Sequence, residues 1–245
     1  MVPELRSALA EDIEALIRLH DRELDGPTLA AMQAADFPFC LALPPEGVAG
    51  REAYENLRAA VAAIATPVSA TALDELAADF AAIYLNNSIG ASPFESVWLD
   101  NDHLVCQQPM FELRELYAAA GLAVADWHRR YDDHIVCQLQ YLHHQLGREK
   151  VDWAALAAFL DEHIGYWLPD FAQRVTQFGK TDFYAGVAQV TYVWLEQCRD
   201  LLAEIHDLPR PDRALVTDRI RSKLALDKAE VAPIKFMPGA QGPSW

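Results

Sequence analysis

Apolar side chains recur at three- and four-residue intervals through most of the first 206 positions, and nearly every run stops at a glycine or proline. That interval suits the α-helix, which brings such positions onto one stripe, and not the strand, which needs strict alternation. Leu5, Leu9, Ile13 and Ile17 predict a first helix over residues 4–20, closed by Gly26-Pro27. Thr28 then predicts the cap of a short helix to about residue 35, and three prolines make residues 36–50 a loop. Tyr54, Leu57, Val61 and Ile64 form the next stripe, stopped by Pro67. Thr71, with Asp74 three residues on, resembles a capping box for a helix burying Leu73, Leu76, Phe80 and Ile83. Further helices are expected from Pro109 to Gly121, from Asp132 or Asp133 to Leu146, and from Asp152 to Leu168, where Pro169 should end the run. A shorter one closes at Gly179, and a long one spans residues 181–206. No stretch alternates as a strand would. The expected fold is all-α, a single helical-bundle domain of about nine helices over residues 1–206. Residues 207–245 form a basic tail, with a helix over 213–228 and an extended, partly disordered end from Pro233.

Charge narrows the partners. The formal net charge is −16, yet residues 207–245 hold seven Lys/Arg against five Asp/Glu, so residues 1–206 carry −18. Such a body suits neither nucleic acid, bound by neutralising phosphates, nor an anionic membrane surface. A basic peptide would be drawn to it through a salt-sensitive encounter. The same charge also serves simply to keep an alanine-rich protein in solution. Cys40, Cys106, Cys137 and Cys198 are far apart and make no C-x-x-C pair, which fits a reducing compartment. The N-terminal residues are acidic and amphipathic and do not read as a secretion signal, and no apolar run reaches membrane-spanning length. The expectation is a cytoplasmic protein with no stable membrane insertion.

Two short segments stand out from the helical pattern. Pro93-Phe94-Glu95-Ser96-Val97-Trp98 packs a proline, two aromatics and a carboxylate into a break between helices. Pro93 disfavours a helical Ser92, and a helical turn after it would put Phe94 and Trp98 on one face. Rings presented there could hold an apolar peptide, or they could plug the core. The second segment, Asp132-Asp133-His134, opens a helix. One aspartate there is explained as a cap that complements the helix dipole. The other aspartate and the histidine exceed that need, and could meet an arginine-bearing peptide through charge-assisted hydrogen bonds.

Together the two segments resemble the signatures of the TorD/DmsD family, chaperones dedicated to molybdenum-cofactor oxidoreductases. The first family element reads P-[aromatic]-E-S-V-[aromatic], matched at every position by residues 93–98. The second reads E-P-x-D-H, matched at its end by Asp133-His134. The resemblance covers roughly residues 73–146. Arg130-Tyr131 replaces the Glu-Pro of the second element, and Asn86-Asn87-Ser88-Ile89-Gly90 replaces a Gly-Pro cluster before the first. The resemblance implies a non-enzymatic cytoplasmic chaperone that binds a molybdoenzyme catalytic subunit and its twin-arginine signal peptide before cofactor insertion and export. Pro93, Phe94, Glu95, Ser96, Trp98, Asp132, Asp133 and His134 would be the peptide-binding residues, with no catalytic, cofactor or metal site of its own. Self-association as a homodimer is left open. A NarJ-like chaperone of a cytoplasmic subunit is the alternative within the class. Outside it stands an all-α metal-dependent hydrolase using Asp133, His134 and His144, although neither H-E-x-x-H nor E-x-x-H occurs.

Overall fold

A computed structural model of the chain describes residues 1–99 and 103–230, the last five of these by backbone alone. The residues that follow the first signature segment, 100–102, and the extended tail expected from Pro233 lie outside the described residues. Two compact units divide the chain, Met1–Pro211 and Asp212–Trp245. The first contains α1 (Pro3–Asp21), α2 (Gly26–Ala34), α3 (Gly47–Ala63), α4 (Ala70–Phe80) and a π-helical turn, Ala81–Leu85. It continues with α5 (Ser96–Leu99), α6 (Gln108–Ala119), α7 (Ile135–Gly147), α8 (Trp153–Glu162), α9 (Ile164–Phe178) and α10 (Asp182–His206). The second unit holds α11 (Arg213–Glu230). Among the described residues the fold is all-helical, and the one-turn α5 is the single addition to the nine helices expected for the first unit.

The first unit is organised around α10, which packs on both α3 and α9, while α1 packs on α7. Trp167, Trp194, Tyr54, Tyr184, Phe159 and Phe171 are its largest fully buried side chains. Gly186 sets the closeness of the α3–α10 crossing, because a Cβ there would stand 3.0 Å from the Leu57 backbone and side chain. Two buried polar side chains show how desolvation is offset by partners. Asp12 takes the Ala42 amide and the Trp194 indole N–H, both at 2.8 Å, which ties the 36–45 loop to the core. His20 bridges Tyr84 at 2.7 Å and Thr191 at 2.9 Å, and burial lowers its pKa to about 3, so the imidazole is neutral.

Several helix ends differ from expectation. Gly26-Pro27 begins α2 instead of closing a helix, and Asp25, not Thr28, caps it by accepting the Thr28 amide at 2.7 Å. Ser69, not Thr71, caps α4. The start of α7 is capped by His134, whose Nδ1 accepts the Val136 amide at 3.1 Å, and by neither aspartate. The break expected at Pro169 falls six residues earlier, at His163, whose φ and ψ of −115° and −107° end α8 and begin α9. Pro169 then lies inside α9. Gly165 permits the turn, since a Cβ there would meet the Leu160 carbonyl oxygen at 2.3 Å.

Candidate functional site

The two signature segments, separated by more than thirty residues of sequence, lie against each other. Ile135 donates its amide to the Pro93 carbonyl at 2.8 Å and Glu95 donates to the Asp133 carbonyl at 3.1 Å. These bonds make the antiparallel bridge between Phe94 and His134. Asp133 extends it by accepting the Ser96 amide at 2.9 Å through Oδ2. Ser96 Oγ in turn accepts the Gln107 amide at 3.3 Å, near the start of α6.

Beneath the bridge the carboxylates are turned inward. Glu95 is buried, with one oxygen accepting from Gln138 Nε2 at 2.9 Å and the other 3.0 Å from His163 Nδ1. This one side chain therefore ties the first segment to α7 and to the α8–α9 break. Asp132 is buried and held by Arg114, whose Nη2 and Nε donate to Oδ2 at 2.8 and 3.2 Å. Asp133 has no exposed surface, and its Oδ1 lacks a hydrogen-bond partner. Burial pushes the Asp133 carboxyl up to about 6, with the Glu95 charge adding to the effect and the Ser96 bonds opposing it. Burial holds His134 well below the ordinary imidazole range.

The aromatic residues part company. Phe94 precedes α5, lies half-buried, and packs on the His134 ring (centroids 5.0 Å apart) and on Tyr131 (5.5 Å). Trp98, on α5, packs against the core: it stacks on Trp167 at 6.5 Å, and its indole donates to the Ser92 carbonyl at 2.8 Å. The two rings have different neighbours, and the shared face expected from their spacing does not form. Pro93 is buried in the bridge.

Beside this interlock runs a cleft of about 710 Å³, lined by the π-helical turn, the segment after α6, and α7. Leu85, Tyr117, Leu122, Val124, Cys137 and Tyr141 give it apolar walls, and Leu85 is 68% exposed. Its arginines are paired: Arg129 lies 3.5 Å from Asp126 and Arg130 lies 2.6 Å from Asp21. Leu85, Tyr117, Leu122 and Val124 share no local sequence signal, because the π-helical turn, α6 and the segment after it supply them separately. Leu85 left one trace, an apolar residue at the end of the α4 stripe immediately before Asn86-Asn87. Arg114, Gln138 and His163, the partners of the signature carboxylates, gave no local signal at all. Among the described residues, no group of three or more His, Cys, Asp or Glu side chains is arranged to hold a metal ion, and no helix is long and apolar enough to cross a membrane.

Within the all-helical first unit, the two signature segments interlock beside a cleft whose walls are largely apolar. The sequence model of the family described as nitrate reductase delta subunit matches residues 51–173, half of the chain, and the chain belongs to that family. Its relatives include "Chaperone protein TorD" of Vibrio cholerae serotype O1 (strain ATCC 39315 / El Tor Inaba N16961), 33% identical over 54% of this chain and 64% of that protein. The proteins of the same name from Escherichia coli O7:K1 and Psychrobacter sp. are each 28% identical, over 74% and 76% of this chain and 89% and 88% of theirs. The chain thus spans just under two thirds of the length of the Vibrio cholerae relatives. The TorD-type kinship read from residues 93–98 and 133–134 is borne out.

Proposed function

We propose that the chain is a cytoplasmic chaperone, not an enzyme, for the maturation of a molybdenum-cofactor oxidoreductase. It holds the client's twin-arginine signal peptide and apo-protein before cofactor insertion and export. The observation that carries this reading is the cleft beside the signature segments: apolar walls, with charges that cancel in pairs, in a protein of net charge −16. A neutral apolar trough suits the uncharged stretch of a signal peptide, and the acidic surface around it suits the arginines. Phe94 and Tyr131 pack on each other at the edge of the interlock, both half-buried. Glu95, Asp132, Asp133 and His134 act from underneath in this reading, by fixing the shape of the two segments. Pro93, Ser96 and Trp98 hold the first segment in place. The complex has to release its client, so affinity on the order of micromolar or somewhat tighter is expected.

A second reading has its own support in the description of the matched family, nitrate reductase delta subunit. There the client subunit stays in the cytoplasm and carries no export signal. An N-terminal client peptide without paired arginines would then bind as well as one with them.

Leu85→Glu tests the proposal, because the side chain is 68% exposed and its replacement leaves the core untouched. A charge in the cleft should weaken binding of a twin-arginine peptide at least tenfold in a calorimetric titration, with the melting temperature held within a few degrees. Unchanged affinity would remove the cleft from the binding site.

A further inference from the structure

The orphaned oxygen of Asp133 has a consequence for the interlock. Glu95 and Ser96 face this carboxylate from the first segment and Tyr117 from α6, where Arg114 is paired with the neighbouring Asp132. Tyr131 and His134 lie on its own segment, Cys137 and Gln138 on α7, and His163 reaches Glu95 from the α8–α9 break. The nearby guanidiniums are engaged elsewhere, Arg114 with Asp132 and Arg130 with Asp21. His134 is held neutral, and burial pushes the Cys137 thiol up to about 12, so neither changes charge near neutrality.

We propose that Asp133 is a proton-operated latch. With a proton on its carboxyl the two signature segments are clamped together. When the proton passes to solvent, the buried carboxylate favours release of residues 93–98 from residues 133–135. The sign follows from burial. An acid whose pKa in the closed state is raised from 3.8 to about 6 binds its proton more tightly closed than open. Stabilisation of the clamp is therefore present below that window and lost as pH rises through it. With these two values for the open and closed states, opening is about tenfold more frequent at pH 7 than at pH 5 and levels off above pH 7. Resting on the chaperone reading, the loosened ionised form is the one that admits a basic client segment, because a carboxylate attracts arginine and a carboxylic acid does not.

Amide hydrogen exchange at Glu95, Ser96 and Ile135 tests the latch without any client. Protection corrected for intrinsic rates should fall about tenfold from pH 5 to pH 7 in the native chain, with a midpoint near 6, and should stay flat in Asp133→Asn. A flat native profile, or the same fall in Asp133→Asn, would overturn the latch. If that variant does not fold, the carboxyl carbon shift of Asp133 in the native chain decides: titration near 6 supports the latch and titration below 4 overturns it. A twin-arginine peptide should also bind more tightly at pH 7 than at pH 5. A latch midpoint without that gain keeps the latch and removes its link to the client. No peptide binding at any pH sinks the chaperone reading, while the exchange profile still decides the latch.

Discussion

Phe94 and Trp98 are four residues apart and of similar bulk, yet they do different work. Phe94 packs on two neighbouring rings at the edge of the interlock, whereas Trp98 stacks on the fully buried Trp167. Truncating a core aromatic costs about 3–5 kcal/mol, and a half-exposed ring costs much less. Phe94→Ala should therefore lose about 1 kcal/mol or less in a denaturant melt and lose peptide affinity. Trp98 is also half-buried, but it stacks on core Trp167 and donates to the Ser92 carbonyl, so Trp98→Ala should lose more stability than Phe94→Ala. Equal losses from both would place Phe94 in the core. The carboxylates carry the same lesson. Sequence spacing marked Asp132, Asp133 and Glu95 as unusual, but which way they point depends on Arg114, Gln138 and His163, residues brought in by packing from other helices. A capping role was legible at this helix start, and its occupant was not: His134 Nδ1 reached the free amide in place of either aspartate.

Among the elements, the periodicity located the helices well and the breaks less well. A proline after an amphipathic run is the usual mark of a helix end, and Pro169 read that way. The helix carrying it begins only five residues before, at Ile164, so the proline falls in the second turn and removes a single backbone bond. The true break depends on His163 being gripped by the distant Glu95 and on the close approach at Gly165. Neither is visible in a local window. Gly165→Ala makes this testable, because alanine normally gains about 1 kcal/mol over glycine inside a helix. Here the added methyl would press on the Leu160 carbonyl, so the variant should melt at lower denaturant than the native chain. A gain in stability would mean that the α8–α9 junction does not depend on that approach. Arg199 ties the neighbouring elements, donating to both Asp161 oxygens at 2.9 and 2.8 Å and to the Leu208 carbonyl at 2.9 Å. It links α8 to α10 and to the chain that follows.

The whole molecule combines a net charge of −16 with an apolar cleft whose own charges cancel. Long-range attraction brings in a basic partner, and burial of its apolar stretch keeps it. The acidic balance was readable from composition alone, and the helical class from periodicity. The cleft was not readable, because its walls come together only when the π-helical turn, the segment after α6 and α7 are packed. Calorimetric titration of the native chain with a twin-arginine signal peptide, at low and at physiological ionic strength, bears most directly on the central claim. Binding on the order of micromolar or tighter should weaken as salt rises and fall sharply when both arginines are replaced by glutamine. Equal affinity for the glutamine version, with no response to salt, would contradict the account.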